Sequence, residues 1–224
     1  MRNIIDETKD IIIVNKPAGQ LSQGAKGFDL DLVSEVMTYN ASQGKPAYAA
    51  IINRLDRPVS GLVLIAKNKS AAAKYSTLMQ KEGGFNKQYE ALICGKLSEL
   101  KGTFVDYLKK DGRTNTSAIV PADDAANDKE AKLSKLEYEV ISYDEVKDIT
   151  HVRIHLITGR HHQIRVQFAS RRHPLVGDYK YATADCGMDN AVKAVAFKRN
   201  QIALCAVSLT VDNKTYSVAP EFLL

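Results

Sequence analysis

A short apolar run at residues 62–66, Leu-Val-Leu-Ile-Ala, constrains the fold more than any other stretch of this chain. Such a run is typical of a strand that is covered on both faces. The preceding residues 53–61, Asn-Arg-Leu-Asp-Arg-Pro-Val-Ser-Gly, contain a Pro and a Ser-Gly pair and therefore predict a loop that carries Asp56 between two arginines. A carboxylate on a loop that a buried strand anchors is held firmly and stays open to a substrate. The simpler interpretation is one half of a surface ion pair.

The other patterns along the chain are mostly short strands. A helix is expected over residues 29–39, with Asp29 as its N-cap and Leu30, Val33, Val36 and Met37 on its buried face. A second helix is expected over 68–81, and a third begins near His161. Residues 121–130 are interpreted as a surface loop or, equally, as the seam between two halves of the domain. The apolar segment 191–197 is of uncertain type. Strands are expected at 10–14, 62–66, 87–95, 103–108, 115–120, 135–141, 151–157, 202–211 and 215–218.

These strands do not alternate with helices as βαβ units would, which favours an α+β fold with a mixed, largely antiparallel sheet and flanking helices. At 224 residues, 45% hydrophobic and 25% charged, the chain is typical of a globular protein. Its net charge of +5 suits a partner that carries phosphates, and equally a basic protein without one.

Three cysteines without a CxxC pair make a zinc ribbon or a disulfide framework unexpected. No signal peptide and no membrane-spanning apolar run is recognisable, so we expect a cytoplasmic protein with no membrane partner.

The segment around Asp56 resembles the active-site motif of the RluA-type pseudouridine synthases. The usual form of that motif is His-Arg-Leu-Asp, two variable residues, Thr-Ser-Gly and an apolar strand. Residues 54–56 and 60–62 match it, whereas Asn53 stands where the family usually has His and Val59 where it usually has Thr.

Three further motifs occur in the order that this family has them. Residues 15–19 read Asn-Lys-Pro-Ala-Gly, and residues 87–95 match Lys-x-Tyr-x-Ala-Leu-x-x-Gly with Tyr89 as the tyrosine. Residues 158–178 contain Thr-Gly-Arg, His-Gln-Ile-Arg-Val and His-Pro-Leu-Val-Gly-Asp, with His161, Gln167 and Arg172 in place of the usual Thr, His and Gly. The resemblance covers most of the chain.

The resemblance implies the pseudouridine synthase fold, with a central catalytic cleft in one catalytic domain of two sheet-linked halves over residues 1–224. The first strand is expected about ten residues from Met1, so we expect no accessory RNA-binding domain before it. The implied partner is structured RNA, either ribosomal or transfer RNA, and we expect a monomer.

The implied activity is the isomerisation of uridine in RNA to pseudouridine, which needs no cofactor and no metal. The resemblance assigns three catalytic residues: Asp56 as the essential carboxylate, Arg160 as its ion-pair partner, and Tyr89 as the residue that stacks on the base. The resemblance also makes Tyr89 the possible base that removes the C5 proton. From the residues alone, a Tyr in a strand is more often a packing residue. Further residues are expected to contact the substrate: Arg54, Asn53, Ile164, Arg165 and His162.

Two other functions compete with this interpretation. A protein that kept the fold and binds RNA without catalysis is compatible with the replacements at Asn53 and His161. A carboxylate-dependent glycosidase needs a second acid close to the scissile bond, and the motif around Asp56 supplies none. His151 and His155 share one face of a predicted strand, but the sequence offers no third metal ligand beside them.

Overall fold

The computed structural model describes residues 3–24, 30–81, 83–195 and 201–222. The chain divides into two compact units. The first unit comprises residues 1–86 and 205–221, and the second comprises residues 87–204 and 222–224.

The first unit is built on a mixed sheet. Its strands are β1 (Ile4–Glu7), β2 (Ile11–Lys16), β3 (Ala50–Ile51), β4 (Ser60–Ala66), β10 (Leu204–Val211) and β11 (Lys214–Ser217). The pairs β1–β2, β2–β4, β3–β4 and β10–β11 are antiparallel, and β4 pairs with β10 in parallel. All seven residues of β4 are buried, as the apolar run predicts. This strand therefore provides a fixed base for the loop that precedes it.

Two helices lie in the described part of the first unit. The helix α2 (Lys69–Gln80) begins where predicted, and its N-cap Asn68 accepts a hydrogen bond from the Ala71 amide at 2.8 Å. Its Tyr75 packs into a core cluster with Leu62 and Leu64 of β4. The regular positions of small and apolar residues encode this helix locally.

The helix α1 (Leu32–Ser42) begins later than predicted, with Asp31 as the N-cap, because the Asp31 carboxylate accepts from the Ser34 amide at 2.7 Å. Its buried residues are Leu32, Val36 and Asn40. Of the predicted buried face, Val36 was correct, Val33 is only half-buried, and Leu30 and Met37 are exposed. The predicted cap Asp29 lies outside the described residues.

The second unit is built on an antiparallel sheet in the order β5-β9-β8-β6-β7. These strands are β5 (Asn86–Cys94), β6 (Lys101–Asp111), β7 (Thr116–Val120), β8 (Lys132–Asp144) and β9 (Ile149–Leu156). Phe104, Tyr138 and Phe168 form an aromatic cluster with ring centroids 4.9–5.9 Å apart. This cluster packs β6 and β8 against the helix α4 (Gln163–Ala169). The helix contains the Gln-Ile-Arg-Val part of the His-Gln-Ile-Arg-Val motif.

The expected strands are all present, and four further elements differ from expectation. The strands β1 and β3 were not predicted, since both are short. A four-residue helix, α3 (Ala122–Ala125), lies in the expected loop, which is inside the second unit and not at a seam between halves. Residues 191–195 of the uncertain apolar segment belong to the helix α5 (Met188–Val195), and residues 196–197 lie outside the described residues. No helix of the described ranges has the length and apolar character needed to cross a membrane.

Candidate functional site

The loop that carries Asp56, residues 53–59, is hydrogen-bonded to the strand that follows it. The Asn53 side chain is only 8% exposed. Its amide donates to the Leu62 carbonyl at 3.0 Å and accepts from the Leu64 amide at 2.7 Å. Asn53 therefore pairs with β4 much as another strand residue would, and fixes the start of the Asp56 loop.

A second loop, residues 17–22, holds the Asp56 loop from the other side. The Ser22 hydroxyl donates to the Leu55 carbonyl at 2.6 Å and accepts from the Leu55 amide at 3.2 Å. The Gly19 amide donates to the Arg57 carbonyl at 2.7 Å, and Arg57 Nε donates back to the Gly19 carbonyl at 2.9 Å. Gly19 has a φ of +91°, which explains why glycine occupies this position.

The ammonium group of Lys16 lies beneath these two loops. Its side chain is fully buried, and Nζ donates to the carbonyls of Pro17 and Gln20 at 2.9 Å and of Arg57 at 3.4 Å. Burial lowers the pKa of Lys16 to about 8, although the negative charge of Asp56 raises it in part. The lysine of the Asn-Lys-Pro motif thus binds the backbone next to Asp56 and adds positive charge near its carboxylate.

The glycine of the Ser-Gly pair allows a close approach of two strands. Gly61 has a φ of +115°, and a Cβ at this position would lie 2.4 Å from the Ala206 carbonyl oxygen of β10. Any larger residue would force β10 away from β4. The glycine of the motif is therefore required by packing behind the Asp56 loop.

The side chains at the tip of the loop remain accessible. Asp56 is half-buried, and Arg54 and Arg57 are exposed. A carboxylate that fixed loops hold on both sides is preorganised for chemistry. The roles of Asn53, Arg54 and Asp56 toward a substrate stay predictions.

The second unit contains the other predicted site residues. Tyr89 lies on β5, where its backbone pairs with Ile154 of β9 and its side chain is 7% exposed. His162 is the N-cap of α4, Ile164 and Arg165 lie in its first turn, and all three are buried. Their roles in catalysis and binding also stay predictions.

Gln163 organises the turn that precedes α4. Its Oε1 accepts from the Thr158 hydroxyl at 2.8 Å and from the Arg160 amide at 3.0 Å, and its Nε2 donates to the Lys135 carbonyl at 3.1 Å. The exposed guanidinium of Arg160 is fixed through Nε, which donates to the Leu133 carbonyl at 3.0 Å. This turn therefore sets the direction of the Arg160 side chain.

Arg165 takes part in a buried, two-point ion pair. Its Nε and Nη2 donate to the two carboxylate oxygens of Asp178 at 2.6 and 2.8 Å, and its side chain is 6% exposed. Parallel contacts of this kind fix the plane of the guanidinium as well as its position. Asp178, the last residue of the motif at residues 158–178, thus orients Arg165 of the same motif.

Two histidines stack at the start of α4. The rings of His161 and His162 lie 3.8 Å apart at 24°, and His162 has a left-handed backbone with a φ of +52°. The Ser117 hydroxyl lies 2.8 Å from His161 Nδ1 and donates to the His161 carbonyl at 3.0 Å. His162 Nδ1 lies 2.6 Å from the hydroxyl oxygen of Tyr181.

The polar face of the β5-β9-β8 sheet carries charges of both signs. Glu90 contacts His151 at 3.1 Å and Arg153 at 2.9 Å, and Glu137 lies 3.5 Å from His155. The pKa of His151 is lowered by burial, although Glu90 opposes this. Within the described ranges, His, Cys, Asp and Glu form no cluster that could hold a metal ion.

The sequence interpretation missed the residues that support the site from a distance. Lys16 and Asp178 belong to the motifs, but their burial and partners have no local signal. Ser117 and Tyr181 lie outside the quoted motifs. A polar residue in a short strand and a Tyr after a Gly-Asp turn look like ordinary surface positions until the chain is folded.

Comparison with known proteins identifies relatives of this chain. The family model for RNA pseudouridylate synthase matches residues 10–170. The "Ribosomal large subunit pseudouridine synthase D" of Buchnera aphidicola is 33% identical over 181 residues, which cover 80% of this chain and 54% of that protein. An "Uncharacterized RNA pseudouridine synthase" of Aquifex aeolicus is 34% identical over 183 residues, 80% of this chain and 55% of that protein. The chain thus spans about half the length of the curated relatives it matches.

Two solved human structures share the fold. "Human RNA Pseudouridylate Synthase Domain Containing 4" matches with a TM-score of 0.76 at 18% identity, over 98% of this chain and 88% of that one. "Human RNA Pseudouridylate Synthase Domain Containing 1" matches with a TM-score of 0.71 at 23% identity, over 98% and 83%. The predicted fold class, a mixed and mostly antiparallel sheet with helices, is therefore confirmed.

Proposed function

We propose that this chain, which belongs to the RNA pseudouridylate synthase family, isomerises uridine in RNA to pseudouridine with Asp56 as its essential carboxylate. The observation that carries this proposal is the double anchoring of the Asp56 loop. Asn53 binds it to β4, and Lys16, Gly19 and Ser22 bind it to the loop after β2. Such restraint is expected where a side chain must be held in one geometry for a reaction.

The reaction breaks the bond between C1′ and N1 and forms a bond between C1′ and C5. The proton on C5 leaves and N1 gains one, so the product is an isomer of the substrate and no electrons are exchanged. A carboxylate can attack the sugar or the base, or stabilise the positive charge that develops on the sugar as the bond breaks. We assign this role to Asp56.

A cation beside the carboxylate keeps it ionised and aimed. We assign this role to Arg160, whose backbone amide and Nε are both hydrogen-bonded in the turn before α4. Arg165 is the alternative, because its guanidinium is buried and already aligned by Asp178.

Tyr89 is assigned to stacking on the uracil, since an aromatic face suits an unstacked base. A uridine inside folded RNA must first leave its stack to reach the carboxylate. The exposed Arg54, next to Asp56, is assigned to the vacated place in the RNA. Asn53 is restricted to a supporting role by its two hydrogen bonds to β4.

The RNA that we propose as substrate is ribosomal RNA of the large subunit. Several relatives carry the name "Ribosomal large subunit pseudouridine synthase D", at 31–33% identity over 80% of this chain. Transfer RNA is the second class to test.

The test uses Asp56→Asn, which keeps the size of the side chain and removes its charge. We expect pseudouridine formation in large-subunit RNA to fall below detection, while RNA binding and the melting temperature are retained. Pseudouridine is measured by mass spectrometry of digested RNA, with binding and melting on the same preparation. Asp123→Asn, an exposed position of α3, is the matched control and should keep full activity.

Activity that persists in folded Asp56→Asn protein would exclude the proposed carboxylate. A wild-type protein that binds RNA and forms no pseudouridine in ribosomal or transfer RNA would instead favour an RNA-binding protein on the same fold.

A further inference from the structure

The sheet of the second unit has one side that faces away from α4. Successive side chains of a strand point to opposite sides of its sheet. On β6, the Asp106 carboxylate accepts from Gln167 of α4 at 2.7 Å, so Asp106 points to the α4 side. Its neighbours Val105 and Tyr107 therefore point to the other side. Val105 is 54% exposed there, and Tyr107 is half-buried.

A row of apolar side chains crosses three strands on this outer side. Tyr107 of β6 lies directly opposite Leu133 of β8 and Val120 of β7, and residues that are opposite each other in antiparallel strands share one side. Leu133 is 45% exposed and Val120 is half-buried. Together with Val105 they form the apolar strip, which comprises Val105, Tyr107, Val120 and Leu133. Exposed apolar residues that adjoin one another indicate a binding surface, whereas single ones do not.

Two cations border the apolar strip at β8. Arg160 Nε donates to the Leu133 carbonyl at 3.0 Å, and Lys135 is the next residue on the same side of β8. The acid that follows on this side, Glu137, lies 3.5 Å from His155. Within the described ranges, Lys135 forms no ion pair. The β8 border of the strip therefore presents positive charge to a ligand.

The acids at the other end of the strip are paired within the protein. Lys109 lies two residues after Tyr107, on the same side of β6. Asp128 and Glu130 both contact its ammonium group, at 2.8 and 3.1 Å. Two carboxylates around one lysine repel a further anion. The negative charge of a ligand is therefore expected at the β8 border and not at this end.

Unpaired bases of RNA match this combination of groups. Bases outside a helix pack on aromatic and apolar side chains, while cations contact the phosphates between them. A protein partner fits less well, because a stable interface takes roughly 20–30 residues from each side. The strip is much smaller, and the adjoining surface of β8 and β9 carries charges of both signs at Glu137, Arg153 and His155.

We propose that the apolar strip binds unpaired bases that flank the target uridine, and that Lys135 contacts the RNA backbone between them. The inference rests on the proposed function, which assigns Arg160 to the reacting site. Because Arg160 is hydrogen-bonded to the backbone of Leu133, the strip begins where its side chain is held. It adds binding outside the reacting nucleotide and favours uridines whose neighbours in the RNA are unpaired.

The first test detects the contact without using catalysis. A photoreactive benzophenone amino acid is placed at position 105 of the whole chain, which is then irradiated with an unmodified transcript of large-subunit RNA. We expect cross-links to unpaired nucleotides close to the uridine that the wild type converts. The same group at position 141, where Ile141 of β8 is 41% exposed, is the control and should give none there. Bound RNA without cross-links from position 105, or cross-links to a second copy of the chain instead, would overturn the proposal.

The second test separates binding from chemistry in pseudouridine formation. Leu133→Ser and Tyr107→Ala should each raise KM about fivefold or more and leave kcat unchanged, because contacts away from the reacting nucleotide stabilise substrate and transition state equally. Neither variant removes a charge, so the dependence of affinity on salt should stay as in the wild type. Ile141→Ser is the matched control and should keep the wild-type KM. An unchanged KM in folded Leu133→Ser protein would overturn the proposal.

The third test concerns Lys135 and keeps the two proposals apart. Lys135→Gln should lower the slope of log affinity against log salt by about one, and an unchanged slope would exclude the backbone contact. Cross-links from position 105 in a wild-type protein that forms no pseudouridine would count against the proposed function and support the strip as an RNA-binding surface. An active enzyme that gives no such cross-links and has the wild-type KM in Leu133→Ser would count against the strip alone.

Discussion

Lys16 shows at the scale of one residue how a motif can act without touching a substrate. A buried ammonium is costly unless its protons are hydrogen-bonded. Three backbone carbonyls meet this need, one of them from Arg57 in the Asp56 loop. Burial nevertheless dominates and lowers the pKa of Lys16 to about 8, against an ordinary value of 10.5. The group therefore loses its proton at a lower pH in the folded chain than in the unfolded chain.

We expect this difference to appear as a dependence of stability on pH. Below about pH 8 Lys16 is charged in both states, and between about pH 8 and 10.5 the unfolded chain binds the extra proton. The free energy of unfolding of the wild type should therefore rise over this window relative to Lys16→Met, by on the order of 3 kcal/mol. Urea unfolding of both proteins between about pH 6 and 10 measures the difference.

Lys45→Met is the control for this series. The hydrogen bond with Glu7 raises the pKa of Lys45, so that lysine stays charged in both states across the same window. Its difference from the wild type should stay flat up to about the ordinary pKa of 10.5. A difference between wild type and Lys16→Met that falls with pH would mean that Lys16 keeps its charge when buried.

At the scale of elements, α4 shows how a short helix becomes a rigid support. Six of its seven residues are buried, including Arg165 and Gln167. The helix ends in a turn where the Arg172 amide donates to the Ala169 carbonyl at 3.0 Å and Arg172 has a φ of +66°. The left-handed conformation costs a residue with a Cβ roughly 1–2 kcal/mol, and the resembling family usually has Gly here. Arg172 therefore keeps a strain that glycine would not have.

Replacing Arg172 with Gly and with Ala separates this strain from the loss of the side chain. Both variants lose the exposed ion pair with Asp185, which contributes little. Glycine adopts a positive φ without steric cost but loses more entropy on folding, so Arg172→Gly should be about 0.5–1 kcal/mol more stable than Arg172→Ala. Chemical unfolding of the two variants gives this difference, and equal stabilities would mean that the turn relaxes around alanine.

At the scale of the whole molecule, the net charge of +5 bears on RNA binding. Several of the arginines near the fourth motif are already bound inside the protein. Arg165 is paired with Asp178, and Arg171 forms two contacts with Asp106 at 3.0 and 3.1 Å while stacking on Phe104. Arg160 is assigned to the Asp56 carboxylate and is therefore also engaged within the site. Arg54 is exposed on the loop that carries Asp56, and it is the better candidate for a contact with the RNA backbone.

We expect RNA affinity to fall as salt is raised from roughly 50 to 200 mM, because bound counterions are released from phosphates. Arg54→Gln should lower the slope of log affinity against log salt by about one, because its charge no longer neutralises a phosphate. Arg171→Gln should leave the slope unchanged, since its guanidinium is used within the protein. Filter binding or fluorescence anisotropy over a salt series measures both slopes. Equal changes of the slope in the two variants would contradict the inference that Arg171 is used within the protein and does not contact a phosphate.

The sequence by itself determined what depends on neighbours within a few residues. The unbroken apolar run of β4 requires cover on both faces of the strand, and the alternating pattern of β9 requires cover on one face. Asn68 can cap α2 because the Ala71 amide lies about one turn away in the same helix. The loop around Asp56 could be predicted for the same reason, because the Pro and the Ser-Gly pair that indicate it lie within the segment itself. Asp29 and Asp31, two positions apart before α1, offer similar caps, so the local pattern alone is insufficient and the start of that helix was misplaced.

Only the tertiary structure decided which groups meet across long stretches of chain. Lys16 and Arg57 are 41 residues apart, and Ser117 and Tyr181 are 64 apart. A lysine or a tyrosine has the same local pattern whether it is exposed or buried, because burial depends on what packs over it. The loop supports, the Arg165–Asp178 pair and the contact of Tyr181 with His162 therefore arise from packing, which brings together polar groups that must then satisfy one another.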